Sequence, residues 1–180
     1  MDIKILFGKL IIGRQLEFDT GKISLVGQPM IMLPVITISR MQHYIEKQSK
    51  YRKAGELVLY HAAKDAGFHY MSEYKKHFGV INPGKLLDWA INSVHLAGWG
   101  LFTPSKFDVK KSEAMFKVEK SPFALAAGKG KHPVDFIISG YIAGGLSVMF
   151  GKEINCKEVK CISTGYPYCE FIANPEIKIK

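Results

Sequence analysis

Two cysteines, Cys161 and Cys169, flank a glycine-centred turn near the end of this chain, and few folds accommodate that arrangement. Residues Glu153 to Ile162 read as a strand, Ser163 to Pro167 as a turn and Tyr168 to Asn174 as a return strand. With the turn centred on Gly165, Cys161 falls opposite Cys169. Facing residues on one side of an antiparallel pair hold their Cβ atoms roughly 4.5–5.5 Å apart. Two thiols at that spacing either form a disulfide or share a metal. Glu158 lies three residues before Cys161, so an ideal strand turns it to the opposite face. A bulge or an early strand end is needed to bring its carboxylate to the sulfurs.

A helix precedes this hairpin. Pro133 suits a first helical turn and Gly151 the residue just past the end. The apolar run Phe136 to Phe150 is too short to span a bilayer and reads as a buried helix. Ser139, Gly140, Ala143, Gly144 and Ser147 make one face small, which invites close contact with a sheet or with a dimer mate.

Upstream, residues 1–33 read as two amphipathic strands that form a hairpin. Leu6, Leu10, Ile12, Leu16 and Phe18 alternate along the first strand, Asp19-Thr20-Gly21 turns, and Ile23, Leu25 and Gly27 return. Such a hairpin does not stand alone, so it packs on the remaining domain, residues 34–180, or exchanges with a partner copy. Three helices follow. The first runs from Pro34 to about Lys50 and ends in a charged break, Gln48 to Lys53. The second, Glu56 to Phe78, carries a Tyr60, Ala63, Gly67, Tyr70, Tyr74 stripe; its central glycine costs about 1 kcal/mol in helix propensity unless a close contact compensates. The third opens on Asn82-Pro83 and presents Leu87, Ala90, Ile91 and Val94. Strands Leu101 to Phe107 and Ala114 to Glu119 turn at Lys110-Lys111-Ser112. The order predicts an α+β fold, an antiparallel sheet with helices packed on one side.

Composition limits the function. The net charge of +9 comes from lysines spread along 180 residues, with no helix-turn-helix, zinc-finger or RNA-binding signature, which argues against nucleic acid. No apolar window spans a membrane, the N-terminus lacks the order of a signal peptide, and the cysteine count of three is odd. These features predict a cytoplasmic protein with free thiols or a metal. No G-x-G-x-x-G or P-loop spacing occurs, and Gly128-Lys129-Gly130-Lys131 imitates a phosphate loop only loosely. The expectation is a protein that is not an enzyme.

The pattern Glu158-x2-Cys161-x7-Cys169-x-Phe171, preceded by Pro133-Val134-x-Phe136 and Gly140-Tyr141-x-Ala143-Gly144, resembles the 4-vinyl reductase domain. That family includes the effector-sensing domains of bacterial aromatic-responsive activators and is related in fold to subunits of the TRAPP vesicle-tethering complex. The resemblance runs from about Leu33 to the C-terminus and is most specific in the C-terminal motif. It implies a zinc held by Glu158, Cys161, Cys169 and a fourth position, cysteine in the sensors and Asp135 here. Zinc accepts carboxylates, although each lost thiolate makes a site less selective for it. Cys156 and His132 are alternative ligands. Without a metal, Asp135 serves the helix dipole, Glu158 is a solvated strand acid and the cysteines are buried thiols.

The resemblance also implies a ligand pocket between helices and sheet. The histidine and tryptophan that grip a phenol hydroxyl in the sensors fall near Val94 and Val118. Cys156 matches another pocket position, and Trp99 and Phe102 lie close by. A pocket so lined has lost its polar grip and suits a more apolar guest. An unpartnered phenol hydroxyl there costs roughly 1–3 kcal/mol. His95 points to another face. Ordinary core packing is the competing account of these residues. The expected function is a stand-alone sensor or carrier of a small hydrophobic molecule. It works as a homodimer with a zinc-braced hairpin and passes its output to a protein partner. The alternatives are an accessory or catalytic protein of tetrapyrrole or other cofactor metabolism, and a scaffold subunit.

Overall fold

The computed structural model describes residue 8 and residues 16–47, 52–79 and 82–179. It begins with a small antiparallel meander: β1 (Leu16–Asp19), β2 (Lys22–Leu25) and β3 (Gln28–Met30), in that order. The expected two-stranded hairpin gains a third strand because Gly27 turns the chain instead of extending it. Val26 and Gly27 both have positive φ, 54° and 74°, the backbone that closes a tight two-residue hairpin. The expected strand positions Leu6, Leu10 and Ile12 lie outside the described residues.

Five helices follow the chain: α1 (Val35–Lys47), α2 (Arg52–Phe78), α3 (Pro83–Leu96), α4 (Pro122–Ala127) and α5 (Phe136–Phe150). Asn82 caps α3, its side chain accepting from the Lys85 amide at 3.2 Å. The expected charged break is shorter than Gln48 to Lys53. Arg52 and Lys53 already belong to α2, where Arg52 pairs with Glu56 one turn on at 2.9 Å; residues 48–51 lie outside the description. Pro133 does not enter α5. The helix starts at Phe136 with Asp135 as its N-cap, because the segment before it is held elsewhere: the Val134 carbonyl accepts from Gln42 Nε2 on α1 at 2.9 Å.

The main sheet contains β4 (Leu101–Asp108), β5 (Glu113–Glu119), β6 (Asn155–Lys160) and β7 (Cys169–Asn174), in the order β4-β5-β7-β6. All neighbours are antiparallel, as expected. One face is buried. Ala114, Phe116 and Val118 of β5 and Cys169, Phe171 and Ala173 of β7 point into the core, and the residues between them do not.

Against this sheet lies α5, and α2 crosses on top of it. The small stripe of α5 meets α2 of the same chain, neither the sheet nor a dimer mate. A Cβ built on Gly140 would collide with the Tyr60 carbonyl oxygen, and one built on Gly144 with the Lys64 carbonyl oxygen. Gly67 answers from α2, where a Cβ would stand 2.7 Å from the Tyr141 carbonyl oxygen. Backbone touches backbone here, which is the contact that compensates a glycine in the middle of α2.

Candidate functional site

A one-residue irregularity places the chemistry. Between β6 and β7 the register pairs Glu158 with Phe171 and Lys160 with Glu170, so Val159 is an extra residue on one strand. That bulge turns Glu158 and Cys161 to the same side. Past β6 a short 3-10 turn, Ile162–Thr164, ends at Gly165 with φ 97° and returns the chain to Cys169. The two sulfurs stand 3.9 Å apart. The Ile162 amide donates to Cys169 Sγ at 3.4 Å, and the Ser163 hydroxyl lies 3.0 Å from Cys161 Sγ.

Asp135 completes the group. One ligand atom from each of Asp135, Glu158, Cys161 and Cys169 lies within 4.8 Å of all the others, and all four residues are buried. As an N-cap Asp135 makes no side-chain bond to its own helix; it is fully buried. Ser121, which also caps α4, donates from Oγ to Asp135 Oδ2 at 2.8 Å. The Asp135 amide donates to Glu158 Oε2 at 3.0 Å. Two oxygens are left: Asp135 Oδ1 and Glu158 Oε1 are the buried side-chain polar atoms without a hydrogen-bond partner among the described residues. Cys156 and His132 stand apart. The Cys156 amide donates to the Tyr60 hydroxyl at 3.0 Å, and His132 reaches the hairpin only through its carbonyl, which accepts from Ser163 at 3.2 Å.

The electrostatics of this group are those of a cation site. Burial pushes the Asp135 carboxyl up to about 6. Burial, and then the charge of Asp135, push Glu158 up to about 10. The thiol of Cys169, donating to Cys161, draws Cys161 down to about 5 and is itself raised. No basic side chain pairs with either carboxylate among the described residues. Burying several acids without a counter-charge is expensive. A divalent ion among two sulfurs and the two unpartnered oxygens removes that cost, so the residues present fit a metal.

A cavity of about 170 Å³ opens behind the metal cluster, between α2, α3, α5 and the sheet, with Leu25 and Met30 of the small meander at its rim. Of the candidate ligand-binding residues, Val94, Trp99 and Phe102 line it. Val118 and Cys156 do not. Val118 packs under Gly100, 3.0 Å from where a Cβ would sit, and Cys156 faces a separate groove beside Tyr60 and Phe136. His95 points away, accepting from the Phe102 amide at Nε2 over 2.8 Å, which ties α3 to β4. Sequence reasoning missed Tyr70, Ser93 and Tyr141 on the cavity wall. The signal was present for Ser93, a hydroxyl on an apolar helix face.

Comparison with known proteins agrees with the motif. Residues 115–175 match the model of the 4-vinyl reductase domain, so the chain carries this domain from β5 to β7, the metal cluster included. A stretch of 73 residues is 33% identical to an uncharacterised protein of Methanocaldococcus jannaschii, covering 39% of this chain. The match spans only 32% of that relative's length. The phenol-responsive sensory domain of the transcription activator PoxR superposes with a TM-score of 0.80 at 19% identity, over 97% of this chain and 92% of that one. A vinyl-4-reductase family protein from Methanocaldococcus jannaschii gives 0.51 at 19% identity, over 81% of this chain and 83% of that one. A trafficking protein particle complex subunit 3 from Naegleria fowleri, covalently bound to palmitic acid, gives 0.55 at 14% identity, over 81% and 97%. At these identities the structural likenesses establish a common fold.

Proposed function

We propose that this chain is a small-molecule-binding domain, a sensor or carrier, whose cavity wall is braced by a zinc ion held by Asp135, Glu158, Cys161 and Cys169. The observation that carries the reading is the cavity itself: enclosed by helices and sheet and almost wholly apolar in its lining. Its volume is close to that of an engineered cavity of roughly 150 Å³ that takes up benzene. A chain as long as palmitic acid does not fit, and no cysteine lines the wall to tether one. Those facts favour a compact guest over the fatty-acid attachment recorded for the trafficking subunit.

The residues divide the work along α5. Its N-cap, Asp135, belongs to the metal cluster, and Ile138, Tyr141, Ile142, Leu146 and Met149 further along face the cavity. When bound, zinc supplies charge balance and a crosslink between the helix start and the hairpin. Ser121 and the Asp135 amide hold the carboxylates in place for it, and the Ile162 amide holds Cys169. With its N-terminus tied down in this way, α5 is a fixed wall.

Occupancy would be reported through a second copy. Ile31, Met32, Leu33, Ile36 and Tyr44 are all more than half exposed and lie close together in sequence, along α1 and just before it. A run of large apolar side chains like this marks an interaction surface, and we assign it to a homodimer contact that carries the response to a downstream protein. No helix among the described residues is long and apolar enough to cross a membrane. Native mass spectrometry of protein purified without chelator tests the whole reading. The expected result is one zinc per chain and a bound compact organic molecule. Protein free of both, whose melting temperature responds neither to zinc nor to small aromatic compounds, would overturn it.

A further inference from the structure

We propose that the hydroxyls of Tyr70 and Ser93 are the polar anchor of this cavity, and that its guest is an uncharged molecule about one ring in size carrying a single hydroxyl or carbonyl group. The proposal rests on the reading of the cavity as a binding site and names the ligand class that site selects.

The lining residues decide the class. None of them is Asp, Glu, Lys, Arg or His, so a carboxylate or an ammonium entering the cavity would lose its hydration with no counter-charge. Hydroxyls come from three of them, and each is on a different helix: Tyr70 on α2, Ser93 on α3 and Tyr141 on α5. The Ser93 side chain acts on the Tyr70 phenol through a hydrogen bond, and the Tyr141 phenol lies near enough to act on it as well. Three helices therefore deliver their hydroxyls to one spot in a wall that is otherwise aliphatic and aromatic.

Packing alone gives little reason for this convergence. Ser93 is buried, 9% exposed, on the same helix as Leu87, Ala90, Ile91 and Val94, where an alanine or a valine would fill space without bringing a polar group. A hydroxyl carries one donor and two acceptor sites. The Tyr70–Ser93 hydrogen bond uses one donor and one acceptor site, leaving capacity for one more partner. Burial holds the Tyr70 phenol in its protonated, neutral form. A guest hydroxyl or carbonyl that meets this pair keeps its hydrogen bonding on leaving water, whereas a hydrocarbon leaves the pair without a third partner. The grip that is missing at Val94 and Val118 is thus supplied from Tyr70 and Ser93.

The chain's two tryptophans, Trp89 and Trp99, both line the cavity, so intrinsic fluorescence reports occupancy directly. The test titrates the full chain, zinc-loaded, with phenol, toluene and benzoate, which share one ring and differ in the polar group. Phenol is expected to quench saturably and more tightly than toluene, with benzoate silent. Tyr70→Phe and Ser93→Ala, whose melting temperatures are followed alongside, should each weaken phenol binding roughly tenfold while leaving toluene within about twofold. If toluene binds and phenol does not, or if phenol binds both variants as well as it binds the native chain, the anchor is refuted while the cavity stands. If none of the three ligands binds the folded native chain, the cavity is not a binding site for such molecules and the anchor falls with it.

Discussion

The backbone amide of Asp135 donates to Glu158 Oε2 across 3.0 Å, and through that bond the start of α5 is tied to the bulged strand β6. Ser121 holds Asp135 Oδ2 in the same way. Each carboxylate therefore has one oxygen fixed by the protein and one left over, and the two left over face the same pair of sulfurs. An arrangement with one free oxygen per acid is what a cation needs, and it is costly without one.

Ser121 is the residue that orients Asp135 while remaining outside the ligand set. Replacing it with alanine should weaken zinc binding roughly 10–100-fold, as loss of an outer partner does in other metal sites. Competition against a chromophoric chelator measures this. An affinity equal to that of the native chain would mean that Asp135 is not a ligand.

Zinc should compete with protons. At neutral pH, Asp135 (about 6) and Cys161 (about 5) are ionised in the metal-free chain, while Glu158 (about 10) and Cys169, raised still higher, hold their protons. Ligation requires all four to be ionised, so binding at pH 7 displaces the protons of Glu158 and Cys169, about two per zinc. Affinity should then fall about a hundredfold for each unit of acidification from pH 9 to pH 7, and more steeply below pH 6 as Asp135 also takes up a proton. Calorimetry in buffers of different ionisation enthalpy counts these protons. A pH-independent affinity would remove the carboxylate and thiols from the site.

Neighbouring glycines on α5 should respond in opposite directions. Gly144→Ala drives a Cβ into the Lys64 carbonyl oxygen, backbone that cannot yield locally, and should cost about 3 kcal/mol or more. At Gly145 the nearest atom to a new Cβ is Met71 Cε at 3.9 Å, so alanine fits and should gain up to about 1 kcal/mol from helix propensity. Denaturant unfolding of the two variants decides it. Equal effects would place the α2–α5 contact elsewhere.

The proposed dimer should depend on its exposed apolar run. Met32→Glu together with Ile36→Glu, at residues 79% and 53% exposed, should give a monomer in sedimentation velocity with little change in the melting temperature of the fold. A native chain that is already monomeric at high concentration would assign this surface to another partner.

Local pattern carried much of the fold and of the metal cluster, and the reasons are physical. Cys161 and Cys169 were legible because a short turn fixes register across a hairpin, and Glu158 was legible only as a residue that would need a bulge, which Val159 supplies. Asp135 came from the motif alone; nothing in its local sequence separates a helix-capping acid from one turned inward. The cavity was less legible. Val118 was placed in it by counting along the chain, but which inward-facing strand residue meets a cavity depends on where α3 sits against the sheet. Tyr70 read as part of an apolar helical stripe because periodicity sorts residues by face and cannot see that its hydroxyl meets Ser93 from a different helix. The six-residue α4 was too short for periodicity to register.

The glycine seam between α2 and α5 also determines how the cavity can change size. With main chain already against main chain at Gly67, Gly140 and Gly144, those two helices have no slack in which to separate or slide. A guest larger than the resting volume therefore has to be accommodated from the opposite jaw, by outward movement of α3 together with Leu25 and Met30 of the meander. The compliance of the domain lies on the side that adjoins its exposed apolar run, where a change of shape can be felt by a neighbour.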